Sequence, residues 1–198
     1  MTKKSNDQFS LFGKGYKNRQ GVAVLQTRPK SEVDIRWVYD YITSDRARWA
    51  TDTLRALPDE ATKEERSDFK KLNFDFVTFN GTFSYRNARE LMCRSRYNVL
   101  DIDDLASMDE AREVQRMLIA DRHVETALCF VSPSGRGVKW VVFTPTWAQS
   151  DNIRQTFEEL ELHTAFTYGI NIDRSGSDLA RACFLPHDKD CFIHTLRL

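Results

Sequence analysis

The sequence predicts an α+β fold, and three observations support this. Short segments rich in β-branched and aromatic residues recur along the chain, as is typical of strands. Amphipathic stretches with helical spacing lie between them, several preceded by N-cap residues. Two of the predicted strands, residues 124–131 and 138–143, are joined by a turn rich in Gly and Ser, which predicts an antiparallel hairpin.

The composition is that of one globular domain. The chain has 198 residues, of which 41% are hydrophobic and 12% aromatic, and this excludes a disordered protein. Lys and Arg number 29, as do Asp and Glu, so the zero net charge gives no global sign of a nucleic-acid partner. We expect a loose N-terminus over residues 1–8 and a single domain over 9–198. Within it, a helical N-terminal portion covers about 31–72 and a core about 73–198.

Several classes of protein are disfavoured. No apolar run approaches the roughly 20 residues of a membrane span, and no apolar segment follows the first residues as in a signal peptide. We therefore expect a cytoplasmic protein with no membrane partner. The four cysteines form no Cys-x-x-Cys pair and the four histidines form no zinc motif, so free thiols are predicted and a zinc enzyme is not.

The helical N-terminal portion carries no predicted chemistry. Short strands at residues 9–12 and 21–26 precede a helix for which Ser31 is the predicted N-cap. A second helix is predicted over 47–57, and Thr62-x-x-Glu65 has the form of a capping box opening a third helix.

Arginines follow the next predicted strand, residues 73–79, and its Asn80-Gly81 turn. A short helix is predicted between this turn and residue 96. Its residues Arg86, Arg89 and Arg94 are candidates for contacts with nucleic-acid phosphates. A solvated helix face with local ion pairs explains them equally well.

The strand over residues 97–102 is the centre of the predicted chemistry. Asp101 and Asp103 share one of its faces, because side chains alternate along a strand, while Leu100 and Ile102 share the other. Hard carboxylate ligands are those that Mg²⁺ prefers. The alternative is a strand that ends in a polar turn, where Asp is common.

The remaining elements bring further candidate groups. Ser107-Met-Asp-Glu110 predicts the start of a helix that is followed by the hairpin. A helix over 150–162 then leads to a short strand over 169–173, which again ends in a carboxylate, Asp173. Residues 181–186 and 191–196 are predicted to close the sheet.

The hairpin turn has features of an anion site. Gly135 and Gly137 let backbone N–H groups approach an anion, Ser132 and Ser134 offer hydroxyl donors, and Arg136 adds a planar cation. It is not a Walker loop, because no Gly-Lys-Ser/Thr ending is present and a strand follows. A plain hairpin turn remains the alternative.

Lys139 lies on an otherwise apolar face of the following strand, where burial of an unpaired positive charge would be unfavourable. Either the side chain reaches solvent along its stem, or it binds a phosphate.

Three motifs together resemble the archaeo-eukaryotic primase (primase–polymerase) superfamily. They are Asp101-Ile-Asp103, the segment from Ser132 to Lys139, and Ile172-Asp173, in that order. The sequence is most similar to the VirE-type N-terminal domains of bacterial mobile elements and phages. The superfamily usually has His where this chain has Lys139.

This resemblance implies an RRM-like, mainly antiparallel sheet backed by helices, and a metal-dependent nucleotidyltransferase that makes or extends DNA or RNA primers. Asp101, Asp103 and Asp173 would be catalytic and would hold two Mg²⁺ or Mn²⁺ ions. The expected partners are nucleoside triphosphates, a single-stranded DNA template and a helicase domain or protein. The residues expected to bind the nucleotide are Ser132, Ser134, Gly135, Arg136, Gly137, Lys139 and Arg181.

Two other functions are compatible with the same residues. One is a non-catalytic nucleic-acid-binding module that serves a helicase or replication initiator. The other is a metal-dependent nuclease that uses the same carboxylates for phosphodiester hydrolysis.

Overall fold

The fold is α+β, as predicted, and its sheets are antiparallel. A computed structural model describes residues 6–144 and 153–195, and this part of the chain contains five α-helices and four sheets. Every strand pairing in it is antiparallel. Within these residues no helix is both long and apolar enough to cross a membrane.

The elements are numbered in chain order. The strands are β1 (Phe9–Phe12), β2 (Tyr16–Lys17), β3 (Ala23–Val24), β4 (Ser31–Val33), β5 (Phe76–Thr78), β6 (Gly81–Phe83), β7 (Leu91–Arg94), β8 (Tyr97–Ile102), β9 (Thr126–Val131), β10 (Val138–Phe143), β11 (Cys183–Phe184) and β12 (Phe192–Ile193). The helices are α1 (Ile35–Thr43), α2 (Arg48–Arg55), α3 (Lys63–Asn73), α4 (Met108–Ile119) and α5 (Ile153–Tyr168).

Two four-stranded sheets form the body of the protein. The first has the strand order β11-β5-β1-β4, and the second has the order β12-β9-β10-β8. The second sheet is covered on both faces. Val99 of β8 lies in a core cluster shared with the first sheet, α1 and α2, while its neighbour Leu100 lies in a cluster with α4 and α5. Asp101 therefore projects from the face of β8 that is turned toward the first sheet.

The helical N-terminal portion begins differently from the prediction. Residues 31–33 form β4, which pairs with β1, and the N-cap of α1 is Asp34 rather than Ser31. The Trp37 N–H donates to Asp34 Oδ1 at 2.8 Å. Ser31 and Asp34 are both favourable N-cap residues. Because Ser31 pairs with β1 as part of β4, the helix begins after Asp34. The capping box of Thr62 and Glu65 at the start of α3 is confirmed.

The predicted arginine-bearing helix before residue 96 is wrong. This segment is the β6–β7 hairpin with a short 3₁₀ turn, Ala88–Glu90, between its strands. A Cβ at Gly81 would overlap the carbonyl oxygen of Cys93, so glycine permits the close approach of the two strands. The three arginines therefore do not share a helix face.

The end of the chain is also arranged differently. Residues 169–173 form no regular strand, although the Asp173 N–H donates to the Asp101 carbonyl at 2.9 Å. β11 joins the first sheet and only β12 joins the second. The predicted start of α5 at residue 150 lies outside the described residues, as do residues 1–5 of the predicted loose N-terminus and residue 196. All four cysteines are free, as predicted.

Candidate metal centre

Three carboxylates from separate parts of the chain meet in one place. Asp101 ends β8, Asp103 follows that strand directly, and Asp173 follows α5. One oxygen of each lies within 4.8 Å of the others. The backbone hydrogen bond from Asp173 to Asp101 fixes the third carboxylate beside the end of β8. The group is thus assembled by the sheet and by one long-range backbone contact.

Two of the carboxylates are held by cations. Lys139 Nζ forms an ion pair with Asp101 Oδ2 across neighbouring strands. Arg181 Nη2 lies 2.7 Å from Asp173 Oδ2 and 3.8 Å from Asp101 Oδ2. In this state the acidic group is therefore partly neutralised by the protein itself.

One carboxylate oxygen nevertheless fits a metal ligand. Asp101 Oδ1 is buried and has no hydrogen-bond partner in the described part of the chain. Leaving a buried acceptor without a donor is unfavourable, and a coordinated cation removes that cost. The residues present therefore fit a divalent cation held by Asp101 Oδ1, Asp103 and Asp173, with Lys139 and Arg181 on other oxygens. Three hard oxygen ligands suit Mg²⁺ or Mn²⁺.

The electrostatics of the group show how closely its members interact. Burial raises the pKa of the Asp103 carboxyl. The positive charge of Lys139 acts to lower this pKa, and the negative charge of Asp101 acts to raise it further. Burial alone would lower the pKa of Lys139, but the carboxylates of Asp101 and Asp103 raise it above its usual value. Lys139 is therefore a charged amine.

Two of the three carboxylates, Asp101 and Asp103, line a cleft of about 340 Å³. This volume is in the range of small-molecule sites. Its walls are rich in cations and hydroxyls as well as acids: the charged residues and serines that line it are Lys70, Lys71, Arg86, Asp101, Asp103, Asp178, Lys139, Arg181, Ser67, Ser132 and Ser134.

The hairpin turn contributes its serines rather than its glycines to this cleft. The Ser132 and Ser134 hydroxyls lie 3.1 Å apart in the cleft wall. The Gly135 N–H donates to the Ser132 carbonyl at 2.9 Å, within the turn. The Arg136 guanidinium donates to the Leu105 carbonyl at 3.1 Å, and Arg136 is exposed. The expected binding roles of Gly135 and Arg136 are therefore not supported by this arrangement.

Gly137 has a structural role at the same site. A Cβ there would lie 2.5 Å from the Ile102 carbonyl oxygen and 3.0 Å from Asp103 Oδ1. Glycine thus lets the start of β10 pack against the end of β8, where the carboxylates are carried.

Sequence reasoning missed two residues from the helical portion. Arg55 of α2 donates to the carbonyls of Pro133 and Ser132, both at 3.2 Å, and so links α2 to the hairpin turn. Lys70 of α3 lines the cleft. No local pattern distinguishes either residue from an ordinary solvated helix cation, because both roles arise from contacts between segments that are far apart in the sequence.

The three candidate nucleic-acid arginines are separated. Arg86 lines the cleft and donates to the Ala180 carbonyl at 3.4 Å. Arg94 donates to Asn98 Oδ1 at 3.4 Å, and Arg89 is exposed on the 3₁₀ turn. Only Arg86 is among the described residues that line the cleft.

Comparison with known proteins places the chain in a family. A search of curated proteins and a search of solved structures both give no match. The family model described as BT4734-like, N-terminal domain matches residues 69–192. The matched region is more than half of the chain and contains all three carboxylates, the hairpin turn and the cations of the cleft. The chain therefore belongs to the BT4734-like N-terminal domain family.

Proposed function

We propose that the protein is a metal-dependent nucleotidyltransferase of the primase–polymerase type, which synthesises or extends primers in the replication of a mobile element or phage. One observation carries the proposal: three carboxylate oxygens, from two parts of the chain about 70 residues apart, converge within 4.8 Å, and two of these carboxylates line a cleft that also presents serines and cations. Two-metal phosphoryl-transfer sites need this combination of acidic ligands and phosphate-binding donors.

The sheet supports the proposal. β8, α4, β9, β10 and α5 follow one another, and β10 lies between β9 and β8. This is the order of the first three strands of an RRM-like sheet, which has a fourth strand beside the first. Here the segment ending in Asp173 occupies that position with a single backbone hydrogen bond to β8. In an RRM-like arrangement the end of β8 and the segment ending in Asp173 would lie side by side, which supports a shared acidic site.

Each group has a defined task in this proposal. Asp101, Asp103 and Asp173 would hold divalent ions, which would supply the activation of a 3′-hydroxyl and the stabilisation of the leaving pyrophosphate. Asp101 Oδ1 is the fixed ligand, because β8 and Lys139 hold its carboxylate in place. The Ser132 and Ser134 hydroxyls donate hydrogen bonds to the triphosphate, and Arg181 contributes a planar cation.

The balance of charge favours a metal bound together with a triphosphate. The carboxylates of Asp101, Asp103 and Asp173 are matched by Lys139 and Arg181, which pair with them, and by Lys70 in the same cleft. A divalent cation alone therefore gains little attraction from this site. A nucleoside triphosphate brings negative charges of its own, so the complex of metal and triphosphate is the better-matched ligand.

A second candidate function is supported by the same ion pairs. Lys139 and Arg181 neutralise two carboxylates directly, and Lys139 is the residue that replaces the His usual in the superfamily. A point charge lacks the directed donor of an imidazole. This favours, as the alternative, a non-catalytic module that keeps the fold and binds nucleic acid for a partner helicase or initiator.

Incorporation of labelled nucleotides separates these functions. The assay contains Mn²⁺, dNTPs or NTPs, and a single-stranded template with and without a primer. We expect incorporation by the wild type and its loss in Asp101→Ala and Asp173→Ala. Asp59→Ala, which changes an exposed carboxylate in a loop, is the matched control. Template cleavage without incorporation would support the nuclease, and template binding without either would support the non-catalytic module.

A further inference from the structure

We propose that Lys70 and Arg86 form a subsite for the triphosphate tail of the nucleotide, outside the three motifs that carry the resemblance. This inference deepens the proposed function and rests on it for the identity of the ligand as a triphosphate. Lys70 belongs to the last turn of α3 and Arg86 to the β6–β7 hairpin, yet both line the cleft of the acidic group.

The Lys70 side chain makes no hydrogen bond or ion pair with any residue in ranges 6–144 and 153–195. The other lysines and the arginine near the carboxylates differ in this respect. Lys71 pairs with Asp68 at 2.8 Å, Lys139 pairs with Asp101, and Arg181 pairs with Asp173. Lys70 is thus a cation of the cleft whose ammonium group is available to a ligand.

The surroundings of Lys70 make that lack of a partner unfavourable. Burial lowers its pKa, and the nearby charges of Lys139 and Arg181 lower it further, against the opposing effect of Asp103 and Asp101. A half-buried ammonium loses hydration, and the carboxylates of Asp103 and Asp101 offset this loss only in part, since the pKa stays lowered. An anion in the cleft would restore the lost interactions.

Arg86 provides the second, independent observation. Its Nε is buried and without a hydrogen-bond partner in the described part of the chain. Its guanidinium is held in place, since it lies 5.9 Å from the centre of the Phe76 ring and donates through Nη1 to the Ala180 carbonyl. A guanidinium that is fixed in the wall of a cleft is a typical phosphate ligand.

The position of the two residues favours a triphosphate over a nucleic-acid backbone. Lys70 interacts electrostatically with Asp101 and Asp103, so its ammonium lies near the carboxylates that would hold the metal. Metal ions at such sites bridge the phosphates of the triphosphate tail. Lys70 and Arg86 also share the cleft with Ser132 and Ser134. A triphosphate and a nucleic-acid backbone both present phosphate oxyanions, and the binding of each can be measured separately.

The test compares Lys70→Gln with Lys63→Gln, which changes an exposed lysine in the first turn of the same helix that does not line the cleft. Fluorescence anisotropy is measured for a labelled dATP, and separately for a labelled oligo(dT) strand, both with Mn²⁺. Competition with dATP and with dAMP then shows whether the β- and γ-phosphates are involved. Thermal unfolding confirms that each variant is folded, and Lys70→Arg tests rescue by another cation.

We expect Lys70→Gln and Arg86→Gln each to weaken dATP binding about tenfold, because a charge-assisted hydrogen bond is lost. Binding of dAMP and of the oligonucleotide should change little, Lys63→Gln should resemble the wild type, and Lys70→Arg should restore most of the affinity. Equal effects of Lys70→Gln and Lys63→Gln would overturn the inference. So would a selective loss of oligonucleotide binding, which would assign Lys70 to a nucleic-acid phosphate.

The outcome is distinguishable from that of the proposed function. A wild type that binds dATP through Lys70 but incorporates no nucleotide would leave the subsite in place and overturn the transferase activity. If the wild type incorporates nucleotide and Lys70→Gln has unchanged dATP affinity, the transferase activity would be supported and the subsite overturned.

Discussion

Lys139 and Asp101 stand directly opposite each other on the antiparallel strands β10 and β8, and their side chains form an ion pair. The two side chains are only 13% and 10% exposed. A pair this well shielded from water interacts strongly, and removal of either partner leaves a buried charge uncompensated. The lysine therefore both supports the fold and fixes the carboxylate whose other oxygen, Oδ1, is the candidate metal ligand.

Removal of the Lys139 charge should destabilise the protein. We expect Lys139→Met to lower the free energy of unfolding by about 3–5 kcal/mol, because Asp101 is then a buried charge without its partner. Urea denaturation measures this change. The double variant Asp101→Asn, Lys139→Met should lose less free energy of unfolding than the sum of the losses in the two single variants. Strict additivity of the two effects would mean that the pair contributes no coupling energy.

Arg181 should compete with a metal ion for Asp173, because its Nη2 lies 2.7 Å from Asp173 Oδ2. We expect Arg181→Gln to tighten Mn²⁺ binding without nucleotide, by roughly tenfold from the loss of one nearby positive charge. Isothermal titration calorimetry measures the affinity. Arg174→Gln is the matched control, since Arg174 directly follows Asp173 in the sequence but pairs with Glu161, at 2.7 Å. Unchanged or weaker Mn²⁺ binding in Arg181→Gln would contradict the competition.

Gly137 should be sensitive to a single added methyl group. Because its Cβ would lie 2.5 Å from the Ile102 carbonyl oxygen, Gly137→Ala must separate the start of β10 from the end of β8. We expect a loss of about 1–3 kcal/mol of stability, together with weaker Mn²⁺ binding as Asp103 is displaced. Gly13→Ala is the control, since nothing lies within 4 Å of its added Cβ. Equal stability of the two variants would show that the contact at Gly137 relaxes freely.

Asp121 should stabilise the protein in a pH-dependent manner. Burial acts to raise its pKa, but hydrogen bonds from His163 and Tyr168 and from the backbone N–H groups of Val124 and His123 lower it overall. Its contribution is therefore present above the ordinary Asp pKa of about 3.9 and lost as the pH falls through the lowered value.

We expect Asp121→Asn to cost about 1–3 kcal/mol at pH 7 and clearly less at the acid end of the range in which the protein folds. Urea denaturation at both pH values checks this difference. The same cost at both would contradict a depressed pKa at this carboxylate.

The central strands of the site were predictable from sequence because each is a long apolar segment with a local signal at its end. β8 and β10 have the predicted bounds, and the alternation along β8 correctly separates Asp101 from Leu100. The order of the acidic and serine motifs then indicated which segments would meet.

Other features depended on contacts between distant segments. The β6–β7 hairpin was missed because its pairing requires Gly81 to approach Cys93, which no local periodicity reveals. Lys70 and Arg55 were missed because their roles come from contacts of α3 and α2 with segments far along the chain. The two ion pairs at the carboxylates likewise arise only when β8, β10 and the segment around Arg181 are brought together.

The most direct test of the central claim, that the three carboxylates jointly hold divalent cations with a triphosphate, is a Mn²⁺ titration followed by electron paramagnetic resonance. It is performed on the wild type and on Asp101→Asn and Asp173→Asn, with and without a non-hydrolysable dNTP. The account predicts that Mn²⁺ binding to the wild type is strengthened by the nucleotide and is lost in both variants. Mn²⁺ binding that is the same in all three proteins, or absent from the wild type with nucleotide present, would contradict it.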